Sequence, residues 1–481
     1  LNDILRVTPF LLLGFILARL TLVTEKVVVG TQGAEWEFSF AERFIIAGKA
    51  LWFYLYKLIY PLNLAFSYPK WSIDSTVASN YLPSLVFLAL IIGLWWFRDK
   101  VGRSPLTAIL FFAGTLFPAL GFFSVYPMRY SFAADHFQYL ACIGPIALFS
   151  ASLTAFATSL SKIKVPTYFL PAFSASLLLV MGLLTWKQTH IYENKEVLWR
   201  DTLSKNPGSW MAHNNLGKEL EDQKKYQEAF SHYQEALAIN PNVFEVHHNL
   251  GRTYHRKGEL SLAVSELKRA LELEPAYYQS YNSLASTLAE QGKLEEALHF
   301  ARKCIIVKPD YTPGVVTLGN VLEELGNLNE AQAYYKRALE LDSDSPENYL
   351  NLANVLYLTG NLEEAALHFR KALALNPELV EAHYNLGNIL GQQGHLKEAQ
   401  KAFERAISLD EKLPLPHYGL GIIHQRSGQN LKAITAFEQA LALNPKLKQA
   451  HHFLAKIYEE MGEKQKASFH TRSAEKISGQ K

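Results

Sequence analysis

Residues 210–481 repeat one pattern of apolar and small residues every 34 positions, eight times, without an insertion. When each unit is numbered from 1 at Trp210, position 7 is always leucine, position 20 always alanine, and position 8 always glycine or alanine. Glycine occupies position 15 in every unit except the first, which has Lys224. Apolar residues at helical spacing flank that glycine on both sides, so each unit predicts two helices joined by a tight turn.

The period and the small residues identify the unit as a tetratricopeptide repeat, an antiparallel pair of helices. Small side chains at positions 8, 20 and 27 let the two backbones approach closely. Glycine at position 15 ends the first helix, helix A, in a left-handed conformation. Proline at position 32 stops the second helix, helix B, in five of the units. One pair cannot cover its own apolar face, so we expect the units to stack into a right-handed α-solenoid with a concave groove.

The repeat pattern begins before Trp210. In the same register, Trp199 falls at position 24 and Pro207 at position 32. Residues 187–209 therefore predict a connecting segment that contains a lone helix B. This half repeat would cap the first end of the solenoid.

Upstream of the repeats, the pattern changes to long apolar runs. Four runs without a charged residue are 22 to 25 residues long, enough to cross a hydrocarbon core of about 30 Å as helices. They are residues 75–97, 104–128, 137–161 and 165–186. Residues 7–23 are a fifth candidate, interrupted by Arg19. We therefore predict that residues 1–186 form a transmembrane helical domain of about 5–6 segments.

Residues 40–69 differ from these runs because they combine aromatic and aliphatic residues with charges. The charged residues include Glu42, Arg43, Lys49 and Lys57. Two interpretations remain open. The segment is either a spanning helix whose charges face other helices, or an amphipathic helix at the membrane interface.

The charge balance divides the chain at the same place. Residues 1–209 carry 17 Lys and Arg against 11 Asp and Glu, whereas the repeats carry 30 against 34. Basic residues crowd the connections at residues 98–103 and 162–164, and the positive-inside rule places those connections in the cytoplasm. We therefore expect an integral membrane protein whose repeats lie on the non-cytoplasmic side, in a periplasm or a lumen. Membrane lipids are expected partners and nucleic acid is not.

Motifs of common catalytic sites are missing from the sequence. It contains no GxxxxGK[ST], GxSxG, HExxH or CxxC motif, and no cofactor is evident. Five histidines share position 4 of their repeats, and no two of these lie three or four residues apart. We therefore predict packing histidines and no metal site. The five are His213, His247, His383, His417 and His451.

Asparagine recurs in helix A, which we expect to line the groove. A carboxamide offers both a donor and an acceptor, so a row of them can hold the backbone of an extended peptide without selecting its side chains. The alternative is that asparagine is simply common in the NLG stretch of this repeat. The predicted peptide-binding residues are Asn215, Asn249, Asn320, Asn351, Asn354, Asn385 and Asn388.

Two cations of the apolar part fall near the expected membrane boundary. Lys57 follows an aromatic stretch, and Arg129 lies in a loop between two apolar runs. Each could neutralise a lipid phosphate. Ordinary interfacial anchoring by Lys, Arg, Tyr and Trp is the alternative.

Three stretches of sequence precede the repeats in a fixed order. They are KLIYPLNLAFSY at residues 57–68, ADHFQYLACIG at residues 134–144 and KEVLWRDTLSKNP at residues 195–207. A chain of this plan resembles the transmembrane and tetratricopeptide repeat-containing O-mannosyltransferases, and resembles bacterial membrane proteins of the same plan still more. The resemblance implies a GT-C glycosyltransferase fold, a polyprenyl-phosphate sugar donor and acceptor proteins engaged outside the cytoplasm.

The resemblance also bears on individual residues. Asp135 and His136 stand where the family has Glu and Arg, and we assign the donor phosphate to Lys57, Arg129 and His136. The family's acidic catalytic residues lie in a first external loop that has no counterpart here. We therefore expect upstream sequence to be missing, and the catalytic residues are unknown. The alternative function is a non-enzymatic, membrane-anchored scaffold for the assembly of protein complexes.

Overall fold

The computed structural model describes residues 37–122, 129–160 and 168–478, and every regular element in these ranges is helical. The all-α prediction is therefore confirmed for the described residues. The chain divides into two compact units, residues 1–253 and residues 254–481. The predicted segment at residues 7–23 lies outside the described residues.

Six helices precede the repeats in the described part of the first unit, besides 3₁₀ turns and one short turn of helix at Arg98–Val101. We label them α1 to α6. Their bounds are α1 Phe40–Ile59, α2 Leu82–Trp96, α3 Ser104–Leu116, α4 Ile143–Leu160, α5 Phe169–Thr189 and α6 Lys195–Lys205.

Helix α1 begins at a capping box. The Ser39 Oγ accepts from the backbone N–H of Glu42 at 3.3 Å, and the Glu42 carboxylate accepts from the N–H of Ser39 at 2.8 Å. These two bonds satisfy backbone donors that a helix start otherwise leaves open. The buried face of α1 packs on α2, where the Ser84 hydroxyl donates to the Phe44 carbonyl at 2.6 Å.

The basic side chains of α1 turn toward protein carbonyls. Arg43 Nη1 donates to the Gly121 carbonyl at 2.8 Å, and Lys49 Nζ donates to the Ser72 carbonyl at 3.2 Å. Arg43 is partly buried, where desolvation of a cation without a hydrogen bond is costly, whereas the Lys49 bond lies at the surface. The charges that set residues 40–69 apart in the sequence are therefore engaged by the protein itself.

One helical segment among the described residues is long and apolar enough to cross a membrane. It is Ala78–Trp96, 19 residues with a mean hydropathy of 1.6, and only 11% of its apolar window is buried. Ser104–Ala119 and Ile143–Phe156 are shorter apolar helices. Helix α5 also exposes large apolar side chains, with Leu178 at 72% and Leu179 at 65%. The predicted number of about 5–6 spanning segments remains a prediction.

Two of the predicted apolar runs are only partly helical. The run at residues 104–128 forms helix α3 and then a 3₁₀ turn at Phe117–Ala119, where Pro118 cannot donate a backbone hydrogen bond. The run at residues 137–161 becomes α-helical only at Ile143. Apolar composition identified these segments, but it did not show where the backbone departs from a helix.

From Trp210 the chain is a tetratricopeptide repeat solenoid of eight helix pairs, as predicted. Each helix A covers positions 1–13 of its unit, and each helix B starts at position 17. The first three helices are Trp210–Asp222, Tyr226–Ile239 and Phe244–Arg256. Those that follow are Leu260–Leu273, Tyr278–Glu290, Leu294–Val307, Thr312–Glu324, Leu328–Leu341, Pro346–Leu358, Leu362–Leu375, Val380–Gln392, Leu396–Leu409, Pro414–Arg426, Asn430–Leu443, Lys448–Glu460 and Lys464–Ser478.

The turn between helices A and B requires a left-handed residue at position 15. The seven glycines at this position have φ between 71° and 83°, and Lys224 in the first repeat has φ 62°. This confirms the role predicted for the glycine, which takes that conformation without steric cost. Lys224 takes the same conformation although it has a side chain.

In repeats that have an aromatic residue at position 24, position 8 is small because the ring lies against it. A Cβ added to Gly319 would lie 2.7 Å from the Tyr335 ring, and one added to Gly421 would lie 2.6 Å from the Phe437 ring. Both rings are almost completely buried. The sequence indicated close contact between helices, and the structure shows that the contact is a helix backbone against a ring.

Candidate functional site

Lys57, at the end of α1, organises the loop that follows it. Its ammonium donates to the carbonyls of Leu62 at 2.6 Å and Asn63 at 3.2 Å, and it lies 5.3 Å from the centre of the Tyr68 ring. The side chain is only 8% exposed. Two of the three ammonium donors therefore hold the loop in place.

The same loop is held from the other side by the connecting helix α6. Lys205 Nζ donates to the Leu64 carbonyl at 2.6 Å, and the Asn206 amide donates to the Ser67 carbonyl at 3.3 Å. The rings of Phe66 and Trp199 meet edge to face with centres 5.2 Å apart. The loop is thus a structural bridge between α1 and the start of the repeats.

A second loop, at residues 130–135, meets α1 and the first loop. The Tyr54 hydroxyl accepts from the Ala134 N–H at 3.0 Å and lies 3.2 Å from the Ala134 carbonyl oxygen, to which it can donate. The Tyr68 hydroxyl donates to Asp135 Oδ1 at 2.8 Å. Asp135, which stands where the resembling family has Glu, is therefore bound to a tyrosine of the loop at residues 60–68.

A cavity of about 440 Å³ opens where these two loops meet the first repeats. We call it the aromatic cavity. Its walls include the rings of Phe66, Tyr130, Trp199 and Trp210, and Ser67, Asn215 and Glu245 are among its polar residues. Aromatic walls with a few convergent polar groups are typical of ligand sites in proteins.

Arg129 contacts two residues of the cavity wall, Glu245 and Trp210. Its Nη1 forms an ion pair of 2.9 Å with Glu245 Oε1, and its guanidinium lies 5.2 Å from the centre of the Trp210 ring. Tyr130 and Trp210 pack with ring centres 5.3 Å apart. A cation over an indole face adds electrostatic attraction to the ion pair. Arg129 thus joins its loop to helix A of the second repeat.

The three residues predicted to bind a donor phosphate have different environments. Lys57 is bonded to loop carbonyls and Arg129 to Glu245. The side chain of His136 is outside the described part of the chain. Their role toward a lipid phosphate therefore stays a prediction.

In the first unit, one asparagine of the predicted row, Asn249, is hydrogen-bonded to another residue of the protein. Asn249 Nδ2 donates to Asn214 Oδ1 at 2.9 Å, which ties the second helix A to the first. The sequence analysis did not single out Asn214, because it lies at position 5 of its repeat, one residue before Asn215 of the row. Asn215 is half-buried and lines the aromatic cavity.

In the second unit, the predicted amides fall into two groups. Asn385 donates to Asn354 at 2.9 Å, and Asn354 donates to Glu381 at 2.8 Å. Asn320 accepts from the Tyr335 hydroxyl at 2.8 Å. These amides stabilise the array.

The second group consists of two amides of helix A, Asn351 and Asn388. They are half-buried and make no side-chain hydrogen bond to another described residue. A carboxamide in that state has its donors and its acceptor open to a ligand. These two residues are therefore the strongest candidates of the row for contact with a peptide.

Histidines at position 4 hold the end of the preceding helix B. Nε2 lies within hydrogen-bond distance of the carbonyl oxygen six residues earlier, so it carries the proton. The distances are 3.2 Å for His213 and Pro207, 3.0 Å for His247 and Pro241, and 3.1 Å for His383 and Pro377. These hydrogen bonds give the three histidines a structural role in the fold.

The structure also pairs histidines that the sequence analysis did not connect. His213 Nδ1 lies 3.0 Å from His232 Nδ1, and His451 Nδ1 lies 2.8 Å from His470 Nδ1. Burial lowers the pKa of all four imidazoles. A comparison of positions 4 and 23 across each hairpin would have found both pairs. Across the described ranges, no group of three or more metal-ligating side chains is arranged to hold a metal ion.

Comparison with known families identifies the repeats independently. Models described as TPR repeat match residues 217–258, 319–360 and 353–394. Models described as tetratricopeptide repeat match residues 244–277, 266–299, 380–413 and 414–447. The C-terminal part of the chain is therefore a tetratricopeptide repeat domain.

One relative of known identity is the Protein O-mannosyl-transferase TMTC1 of Homo sapiens. The two are 27% identical over 203 residues, which cover 40% of this chain and 22% of that protein. The match thus spans about a fifth of the relative's length.

Solved structures with similar repeats include YrrB, a TPR protein with an unusual peptide-binding site. It is 23% identical, with a TM-score of 0.35, and the match covers 39% of this chain and 96% of that one. Another is TTC0263, a thermophilic TPR protein from Thermus thermophilus. It is 29% identical, with a TM-score of 0.34 and coverage of 38% and 99%.

Proposed function

We propose that this is a membrane-anchored protein whose repeats bind extended polypeptides outside the cytoplasm. We further propose that it is part of a polyprenyl-phosphate-sugar-dependent protein O-glycosyltransferase. The proposal of peptide binding rests on the burial and the hydrogen bonding of the Asn351 and Asn388 side chains. Both are half-buried on A helices, and their side chains make no hydrogen bond to another residue in the described part of the chain.

The physical argument rests on what an extended peptide offers. Its backbone exposes one N–H and one C=O per residue, and each must regain a partner on binding. A carboxamide can supply both, and it carries no charge that would select particular side chains. The bonded pair of Asn354 and Asn385 keeps the neighbouring helices in register, so the open amides are held in place before a peptide arrives.

The test compares an open amide with a bonded one. Asn351→Ala is expected to weaken binding of an extended polypeptide about fivefold without changing thermal stability, because one hydrogen bond is lost. Asn385→Ala is expected to lower stability as well, because it leaves Asn354 without its donor. The matched control is Asn327→Ala, in an exposed turn. Unchanged binding by Asn351→Ala and Asn388→Ala together would show that the asparagines are only repeat consensus.

Membrane anchoring is supported by the apolar helices of the first unit. Ala78–Trp96 is long enough to span a bilayer, and Leu178, Leu179 and Trp186 of α5 are each at least 65% exposed. Contiguous apolar surface of this kind is unfavourable in water and favourable in lipid. We propose several spans and a non-cytoplasmic repeat domain on the basis of the uncharged runs and the basic connections in the sequence.

The O-glycosyltransferase role is supported by the partial similarity to the human O-mannosyl-transferase and by the motifs before the repeats. The test is transfer of radiolabelled mannose from polyprenyl-phosphate mannose to a Ser- and Thr-rich acceptor polypeptide by membranes that contain the chain. Variants of Lys57, Arg129 and His136 are expected to reduce that transfer. Mock membranes provide the background.

One observation favours a non-enzymatic scaffold as the second candidate. Lys57 and Arg129, assigned to the donor phosphate, are both engaged by groups of the protein. A scaffold would bind polypeptides with the same amides and transfer no sugar. Peptide binding without transfer in the experiment above would favour it.

A further inference from the structure

The aromatic cavity has a composition that the proposed peptide binding does not explain. A bare amide row holds a backbone and needs no pocket for a side chain. Yet a cavity of about 440 Å³ lies beside Asn215, in the first helix A. This volume falls within the range of small-molecule sites and is ample for one large side chain.

The walls are arranged to receive another ring. Phe66 and Trp199 meet at 86° between ring planes, and Tyr130 and Trp210 at 52°. Neither pair is a parallel stack, so ring faces and edges remain available to a third aromatic group. Such contacts contribute beyond the area that they bury.

Two residues of the cavity wall carry a buried oxygen that has no hydrogen-bond partner among the described residues. Ser67 is 4% exposed, and its Oγ makes no hydrogen bond within the described part of the chain. Glu245 uses Oε1 for Arg129, while its buried Oε2 makes no hydrogen bond to any described residue. Buried acceptors without donors cost free energy that a ligand donor would recover. The cavity therefore favours a ligand that brings an N–H or O–H into apolar surroundings.

We propose that the aromatic cavity binds the side chain of a tryptophan or tyrosine in the polypeptide held by the repeats. The ring packs among Phe66, Trp199 and Trp210. Its N–H or O–H donates to Glu245 Oε2 or Ser67 Oγ after that side chain turns toward the ligand, because both oxygens are buried in the unbound chain. The neighbouring peptide backbone binds the amide of Asn215. This inference rests on the proposed function and adds a side-chain preference to it.

Charge supports a neutral occupant. The charges of Glu245 and Arg129 sum to zero in their ion pair, so the pair as a whole attracts neither a cation nor an anion. A phenylalanine would fill the space but leave both acceptors without a donor. A site built around unpaired acceptors rejects the analogue that lacks the donor.

The test uses the full chain in detergent and three fluorescent peptides. Each is a flexible peptide of Ser, Thr and Gly with one Trp, Phe or Ala at the same central position. Binding is measured by fluorescence anisotropy. The Trp peptide is expected to bind about tenfold more tightly than the Phe peptide, since a hydrogen bond to a charged acceptor is gained.

Variants of cavity residues test whether the difference in affinity between the Trp and Phe peptides arises in the aromatic cavity. Ser67→Ala and Glu245→Gln are expected to narrow the difference between the Trp and Phe peptides and to leave the affinity for the Ala peptide unchanged. Ser265→Ala, on an exposed helix surface, is the matched control. A peptide with benzoylphenylalanine at the central position is expected to crosslink to Met211, which lines the cavity.

The outcomes separate this inference from the proposed function. Equal affinity of the three peptides overturns the cavity assignment and leaves peptide binding by the amides intact. If none of the peptides binds, both fail. Displacement of the Trp peptide by free mannose, with no effect of Trp over Phe, would assign the cavity to a sugar and overturn the proposal.

Discussion

Arg129 and Glu245 form an ion pair of 2.9 Å, although 116 residues separate them in the chain. One lies in a loop among the apolar helices and the other in helix A of the second repeat. Their side chains are only 13% and 24% exposed, so water screens the pair weakly. The apolar part of the first unit and its first repeats are therefore joined by a specific electrostatic contact.

Removal of Arg129 is expected to destabilise the first unit. Arg129→Met leaves the Glu245 carboxylate partly buried without its partner, and we expect a loss of about 2 kcal/mol in the free energy of unfolding. The double variant Arg129→Met with Glu245→Leu is expected to recover at least half of the loss. Thermal unfolding followed by circular dichroism measures both.

An exposed ion pair provides the comparison for this prediction. Arg269 and Glu272 pair at 2.9 Å with side chains 46% and 64% exposed. Arg269→Met is expected to change stability by less than about 0.5 kcal/mol. Equal effects of Arg269→Met and Arg129→Met would contradict the importance given to burial.

Lys224→Gly is expected to stabilise the repeats. Lys224 has φ 62° where the other seven repeats have glycine, and a side chain in that conformation costs about 1 kcal/mol. The increase in the free energy of unfolding should be of that order. The neighbouring Lys225→Gly is the control, because Lys225 has φ −86° and gains nothing from glycine.

Stability is expected to fall below pH 6.5 because of His248. Its side chain is 5% exposed, and burial lowers its pKa to about 3, with Arg252 and Lys218 acting in the same direction. The unfolded chain binds the proton at its ordinary pKa, so this stability is present above pH 6.5 and is lost as the pH falls. At pH 5 the loss from this residue is about 2 kcal/mol.

Urea unfolding at pH 7.5 and pH 5 checks this dependence. His248→Gln should flatten it, whereas His452→Gln, at an exposed position, should leave it as in the natural chain. An unchanged dependence in His248→Gln would show that other groups cause the loss.

Protease accessibility tests the membrane orientation. Protease added outside sealed cells or spheroplasts is expected to cleave the repeat domain, because the basic connections are assigned to the cytoplasm. Cytoplasmic marker proteins should stay intact in the same samples. Protection of the repeats until the membrane is broken would reverse the orientation.

Sequence periodicity predicted the repeats well because their geometry is local. The left-handed turn at position 15 and the buried alanines at position 27 follow from one 34-residue pattern. Contacts between distant segments could not be read in this way. Nothing in the sequence pairs Arg129 with Glu245 or directs Lys57 to the carbonyls of its own loop.

The amide row shows the same limit on a smaller scale. Position 6 marked Asn351 and Asn385 as equivalent, but only Asn385 has an asparagine acceptor within reach, Asn354. The difference depends on side-chain positions between neighbouring repeats. Spacing along one helix does not contain that information.

The residue at position 4 makes the junctions between neighbouring repeats differ from one another. His383 and His247 each fasten the preceding helix end through an imidazole, whereas Tyr281, Val315 and Tyr349 occupy that position in the third to fifth repeats. In a linear array, stability is the sum of each repeat and its junctions. We therefore expect the middle repeats, which lack this imidazole hydrogen bond, to separate first when a bound polypeptide pulls on the array.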